Sequence, residues 1–221
     1  MVNEINLPEY KTIVFDCDGV VLNSNAVKTA AFYEAAKHYG VDYATALVDY
    51  HVSHGGISRY SKFQYFLENI LGQNSPNADE LNDLLDRFAL AVKSGLMACE
   101  VVEGLPELRA ATASSNWLIV SGGDQKELRE VFEAKGMAKY FDGGIFGSPD
   151  PKNLILEREL GRGNIKRPAL FLGDSKYDAE AALDAGLDFV FISQWTEVVG
   201  WREWVRNESY NQCSQIGALC Q

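Results

Sequence analysis

The feature that most constrains this 221-residue chain is a set of short apolar runs with almost no polar alternation. They are Thr12–Phe15 (TIVF), Trp117–Ser121 (WLIVS), Gly144–Gly147 (GIFG), Ala169–Asp174 (ALFLGD) and Asp188–Ser193 (DFVFIS). A strand with one wet face alternates apolar and polar residues; a strand covered on both faces does not. From Trp117 onward the runs alternate with helix-like segments: DQKELREVFEAKG (124–136), PKNLILEREL (151–160) and SKYDAEAALDAG (175–186). Strand then helix, repeated, predicts an α/β fold with a Rossmann-like parallel sheet wrapped by helices on both faces.

Residues 23–96 read differently. NAVKTAAFYEAAKHYG, ISRYSKFQYFLENILG and NADELNDLLDRFALAVKSG are helical patterns, each ending at a glycine, with no convincing strand among them. The expected organisation is therefore an α/β core from 1–22 and 97–221, with 23–96 inserted as a helical lobe. Near the end, Trp195, Val198, Val199, Trp201, Trp204 and Val205 recur at roughly helical spacing, an apolar face for the core or for a second subunit in a homodimer.

Charge narrows the partners. Lys+Arg of 20 against Asp+Glu of 31 gives a net charge of −11, which repels nucleic acid and anionic membrane. An anionic ligand must then be held by local groups or a metal. Cys17, Cys99, Cys213 and Cys220 show no metal-binding spacing and are read as free thiols, with Cys17 packed in the core. The start, MVNEINLPEY, lacks a signal-peptide pattern, and no run approaches the roughly 20 apolar residues of a membrane span. A cytoplasmic location is the expectation.

The chemistry sits at the strand ends. In KTIVFDCDGVV, Asp16 and Asp18 are two apart and share a face if the chain stays extended. Two carboxylates about 4 Å apart repel by roughly 4 kcal/mol at an effective dielectric near 20, so a cation or shared proton should accompany them. An acidic turn is the plain alternative. In GDSKYD, Asp174 and Asp178 share a helical face, although Ser175 and Asp178 also form a capping pattern that explains the acid by itself. If both pairs meet at one sheet edge, oxygen-only donors favour Mg²⁺ over zinc. IVSGGD offers the Ser121 hydroxyl and the Gly122 and Gly123 amides to an oxyanion or phosphate. Lys152, just inside a helix N-terminus, opposes the helix dipole and needs another reason to be there.

These clusters, in this order, resemble the motifs of the haloacid dehalogenase superfamily, and within it the phosphatase-like members with a helical cap after the first strand. DCDGVVLNS is similar to the first motif, IVSGG to the second, Lys152 in GSPDPK to the third and GDSKYD to the fourth. Gly122 stands where many capped relatives carry asparagine. The resemblance implies Asp16 as nucleophile forming an aspartyl-phosphate and Asp18 as general acid and base. It implies Mg²⁺ held by Asp16, the Asp18 carbonyl and Asp174, with Asp178 a ligand or a support. Ser121, Gly122 and Lys152 would hold the phosphoryl oxygens. The dehalogenases of the superfamily lack the second aspartate, so Asp18 favours phosphoryl transfer.

The implied activity is hydrolysis of a small phosphate ester, a sugar or sugar-acid phosphate. A phosphomutase of the β-phosphoglucomutase type and a non-catalytic binding module of the same fold are the alternatives. Phosphonate cleavage would require a lysine of the insert, with Lys62 the one well placed. In HVSHGGISRYSKF, His54, Arg59 and Lys62 are candidates to meet the substrate, Arg59 foremost for its fork of donors. His38 and His51 are read as structural or surface residues.

Overall fold

The computed structural model describes residues 5–220, and within this span nothing is said of the Cys220 side chain. The first four residues of the N-terminal stretch and any pairing of Cys220 lie outside that description. Six parallel strands form one sheet in the order β3-β2-β1-β4-β5-β6. These are β1 (Thr12–Phe15), β2 (Asn116–Asp124), β3 (Gly144–Ser148), β4 (Ala169–Gly173), β5 (Asp188–Ile192) and β6 (Asn211–Cys213). The β1 strand is hydrogen-bonded between β2 and β4, which is why all four of its residues are buried.

Side chains leave a strand to alternate faces, and the two cores follow that period. Ile13, Phe15, Trp117, Ile119, Leu170 and Leu172 line one face. Val14, Leu118, Val120, Phe171, Phe189 and Phe191 line the other. The second face is covered by α7 (Lys152–Gly161), α8 (Lys176–Asp184) and α9 (Trp201–Glu208), through Ile155, Leu156, Ala179, Ala182 and Val205. The first is covered by α5 (Leu105–Ala111) and α6 (Gln125–Ala134).

Between β1 and α5 the chain forms the helices α1 (Asn25–Ala36), α2 (Val41–Ser53), α3 (Arg59–Tyr65) and α4 (Ala78–Ala98), as expected for all but α2. The α1 helix packs against both α2 and α4. Phe32, Phe63 and Phe88 stack in their midst, continuous with the core of the first sheet face. The Ser58 side chain caps α3, accepting from the Ser61 amide at 3.3 Å.

Three details differ from the sequence reading. The segment from Ile57 to Gly72 is not one helix: α3 passes into a π-helical turn at Phe66–Ile70. The α2 helix, which buries Ala44, Leu47 and His51, has no counterpart in the sequence reading. The β6 strand is three residues long, too short for a periodic signal. The aromatic face near the C-terminus takes the first of its two expected roles and packs on the core, with Trp201 and Trp204 against Phe191, while Val199 is exposed. Cys17 is buried in the core as expected. No helix among the described residues is long and apolar enough to cross a membrane.

Candidate active site

The carboxyl ends of β1, β2 and β4 converge beneath the helical insert. Asp16 follows β1 directly and donates its amide to the Leu172 carbonyl at 2.9 Å, which extends the ladder to β4 by one residue. Asp174 follows β4. Asp178 sits in the first turn of α8, three residues after its N-cap Ser175. Asp16, Asp174 and Asp178 each present an oxygen, and all three oxygens lie within 4.8 Å of one another. Gly19 makes the closeness possible: a Cβ there would lie 2.0 Å from Asp174 Oδ2.

The capping pattern and the acidic site are the same residues. Asp178 Oδ2 accepts from the Ser175 hydroxyl at 2.7 Å, the Ser175 amide at 3.0 Å and the Asp174 amide at 3.2 Å. Its Oδ1 accepts from the Lys152 ammonium. Asp178 thus orients its neighbours from a fully engaged carboxylate, while Asp16 and Asp174 face the cavity. Lys152, at the first position of α7, is buried between Asp178 and Asp16, with Nζ 2.9 Å from Asp16 Oδ1. This answers why a cation stands at a helix N-terminus: two buried carboxylates outweigh the dipole. Apart from this ion pair, Asp16 Oδ1 is buried with no hydrogen-bond partner among the described residues.

One lysine does not balance three acids. Burial drives the Asp16 carboxyl up to about 7, against the pull of Lys152 and with Asp178 and Asp18 adding to the rise. Asp174 is pushed well above the usual carboxylate range by burial, then by Asp16 and Asp178. Asp174 Oδ2 accepts from the Asn25 amide at 2.9 Å. A buried cluster of hard oxygen donors short of positive charge is a candidate site for a hard divalent cation.

Asp18 has a different environment. Its carboxylate accepts from the Ser24 hydroxyl and the Lys28 ammonium, each at 2.5 Å, and lies 3.5 Å from the Ser121 hydroxyl. Burial raises its pKa, but Lys28 and Ser24 outweigh that and hold it below the usual carboxylate range. Ser121 ends the apolar part of β2, where its Oγ accepts from the Gly123 amide at 3.0 Å. That amide is therefore committed to the turn. Gly122 serves the insert: a Cβ there would lie 2.2 Å from the Gly56 carbonyl, so the bare residue lets the loop of Gly55 and Gly56 sit directly on the sheet edge.

The insert residues are placed in unexpected ways. The Arg59 guanidinium is bidentate to Glu127 of α6 and lies 4.5 Å over the Phe88 ring. In this conformation it clamps insert to core. Tyr60 adds a 2.8 Å bond to Asp124, the N-cap of α6. His54 is exposed and bonds within its own helix end. Lys62 lines the cavity together with His51, which the sequence reading had placed in the fold or at the surface. Lys28, Asn25 and Glu197 also line it, and sequence reasoning passed over all three. A signal existed for one of them, because Ser24, Lys28 and Phe32 recur every fourth residue on one face of α1, immediately after the first acidic pair.

The cavity lined by both Asp16 and Lys62 offers about 50 Å³. At roughly 10–15 Å³ per water position, that holds only a few waters. A second cavity of about 550 Å³ lies beside it and shares Val52, Gly55, Ile57 and Val198 as a common rim. A compact group fits the inner space, which shares its rim with the larger cavity.

A phosphorylated carbohydrates phosphatase of Thermotoga maritima is 24% identical over 196 residues, covering 82% of this chain and 84% of that protein. Among solved structures, a predicted phosphatase from Clostridium acetobutylicum superposes with a TM-score of 0.71 at 18% identity, covering 93% of this chain and 94% of the other. A phosphonoacetaldehyde hydrolase-like protein from Oleispira antarctica gives a TM-score of 0.72 at 15% identity, covering 96% and 90%. The profile of one family matches residues 10–186, most of the chain and all of the strand-end clusters described above, and by that match the protein belongs to the haloacid dehalogenase-like hydrolases.

Proposed function

We propose that this hydrolase is a Mg²⁺-dependent phosphatase of a small phosphorylated metabolite, a sugar or sugar-acid phosphate, working through an aspartyl-phosphate on Asp16. The observation that carries this is Asp16 itself: a buried carboxylate at a strand end, with one oxygen lacking a hydrogen-bond partner, facing a small cavity beside Lys152. A carboxylate so placed is costly to the fold unless something else uses it. The Thermotoga relative, a phosphatase of phosphorylated carbohydrates, supports the substrate class.

The donor set fits Mg²⁺: hard oxygens, no histidine, an orphaned Asp16 oxygen and excess negative charge. Asp16 and Asp174 would hold it, with the Asp18 carbonyl, while Asp178 orients Lys152 and the Asp174–Ser175 backbone. Bound there, it would lower the repulsion between an anionic nucleophile and a phosphate dianion.

The chain's own groups do the rest. Lys152 and Ser121 hold phosphoryl oxygens, Lys152 offsetting charge as the Asp16 oxygen bonds to phosphorus and the ester oxygen departs. Asp18 gives that leaving oxygen its proton, then takes a proton from the water that attacks the phosphorus and frees Asp16. Lys28 keeps Asp18 ionised in the resting site, the state needed for the second step. An arriving dianion favours its protonation, the state needed for the first. The insert closes over the site through Arg59–Glu127 and Gly56 on Gly122, excluding bulk water. Residues 23–96 thus act as the cap.

The test is inorganic phosphate release from a panel of phosphorylated sugars and sugar acids with Mg²⁺. Asp16→Asn is expected to reduce the best rate by about 10³-fold or more. A wild type no faster than Asp16→Asn across the panel overturns the proposal.

A further inference from the structure

Four cationic side chains are buried around the cavity, and three of them meet carboxylates. Lys28 pairs with Asp18, Arg59 with Glu127, and Lys152 with Asp16 and Asp178. Lys62 does not. Its Nζ lies 2.7 Å from His51 Nδ1 and 3.4 Å from the His51 carbonyl, and among the described residues it makes no ion pair. It is 1% exposed and lines the same cavity as Asp16.

The network around it settles what His51 can offer. His51 Nε2 is 3.1 Å from the Thr29 hydroxyl, which is 3.2 Å from both Glu197 oxygens. Glu197 accepts, so Thr29 donates to it and accepts from His51 Nε2–H, leaving Nδ1 to accept from Lys62. His51 is therefore a neutral seat that fixes the ammonium without compensating its charge. Burial drives its own pKa down to about 2, with Lys62 and Lys28 adding to the fall and Asp18 opposing it.

We propose that Lys62, seated on His51, receives a second anionic group carried by the leaving portion of the substrate, so that the preferred ester has a carboxylate or a second phosphate distant from the transferred phosphoryl group. This rests on the phosphatase reading above and narrows it from sugar phosphates in general to phosphorylated acids. A buried ammonium with unused donor capacity destabilises a fold and is relieved by an incoming anion. The Phe32 ring centroid lies 5.5 Å from Nζ, a weak cation–π contact that brings no counter-charge.

Proton linkage adds a readout. Burial pulls Lys62 down to about 7; Lys28 and then Lys152 lower it further, and Asp18 and Glu197 oppose. With His51 neutral beside it, the site is only partly charged near neutral pH, and a bound anion draws a proton into it.

The experiment uses Asp16→Asn, which binds without turning over, and calorimetry with two matched pairs. One pair is 6-phosphogluconate against glucitol 6-phosphate, which differ in a terminal carboxylate. The other is glucose 1,6-bisphosphate against glucose 1-phosphate, which differ in a second phosphate. The acidic member of at least one pair is expected to bind ten-fold or more tighter, with proton uptake at pH 8; which pair shows it identifies the group. Adding Lys62→Met should erase the difference and the proton uptake while leaving the neutral member within two-fold, and Lys62→Arg should retain the preference. Lys62→Met should also melt no lower than its parent, since it removes an uncompensated charge. Equal affinity within both pairs, at any level including none, overturns the subsite, as does a Lys62→Met effect equal on acidic and neutral members. Phosphate release by wild type without charge preference would leave hydrolysis standing and remove the subsite. Charge-selective binding with no phosphate release by wild type would do the reverse.

Discussion

The sheet edge and the helical insert each bury a lysine completely, and they treat it in opposite ways. Lys152 lies between Asp16 and Asp178, and those partners raise its pKa against the burial that would lower it. Lys62 lies on a neutral histidine, and burial lowers its pKa to about 7. The two ammonium groups have similar stems and similar exposure, so the difference is in their partners. The sheet edge has more acid than base and needs more cation. The insert has a cation with nothing to answer it. A ligand with a phosphoryl group at one end and an anionic group at the other would resolve only the second deficit, and the first is the one that the proposed divalent metal would meet.

The largest effect expected from this contrast is at Lys152. Lys152→Met leaves Asp16 and Asp178 buried without their cation, and removing one partner of a buried pair typically costs about 3–5 kcal/mol. Urea denaturation should show that loss at pH 7 together with loss of phosphate release. An unchanged midpoint would mean that the three carboxylates are already neutral, and the contrast between the two lysines would collapse.

Lys62 should show the opposite sign through pH. Its folded pKa of about 7 lies below the ordinary value of 10.5, so between those two pH values the unfolded chain holds the extra proton. Stability therefore rises with pH across that window on account of Lys62, by up to about 1.4 kcal/mol per pH unit. Below about pH 7 both states are charged and the penalty is constant. The groups facing Lys62 are Lys28, His51, Asp18, Glu197 and Lys152, and His51 stays neutral throughout. Lys62→Met should be more stable than wild type at pH 7 by on the order of a few kcal/mol, and the gap should close toward pH 10. A gap independent of pH would show that Lys62 is not the titrating group.

How much of this could be read beforehand follows from where the information lies. Asp16, Asp174 and Ser121 each end a continuously apolar run, so strand and site announce each other, and the parallel sheet was legible from those runs. Lys152 was legible as an anomaly, a cation where the helix dipole disfavours one. The Ser175–Asp178 pattern was correctly seen as a cap and as part of the acidic cluster; the structure makes them one device, since Asp178 Oδ2 caps and its Oδ1 meets Lys152. The insert was legible only as helices. Lys28 recurs with Ser24 and Phe32 on one face of α1, but Thr29, His51 and Glu197 come from α1, α2 and the loop after β5, and a chain of contacts between elements leaves no period in any one of them. Arg59 was singled out for its fork of donors, and that fork is engaged by Glu127, 68 residues away.

Gly122 sharpens the comparison where the two regions touch, with the smallest expected effect. Its missing Cβ would fall 2.2 Å from the Gly56 carbonyl, a backbone atom of the insert loop that cannot swing aside like a side-chain tip. Gly122→Ala should therefore lift that loop from the sheet edge, at about 1–3 kcal/mol of overpacking cost. Because the loop also forms the rim of the inner cavity, lifting it moves Lys62 relative to Asp16, and misplacement on the order of 1 Å can reduce kcat/KM by up to about 100-fold. Gly161→Ala is the control: at the end of α7 nothing lies within 4 Å of its Cβ, and stability should rise by up to about 1 kcal/mol. If the insert and the sheet edge work as one site, Gly122→Ala loses activity out of proportion to its stability, and the loss is steeper for acidic than for neutral esters, since only the former use both lysines. A loss equal for both would mean that the glycine seats the loop without setting the distance between the two charges.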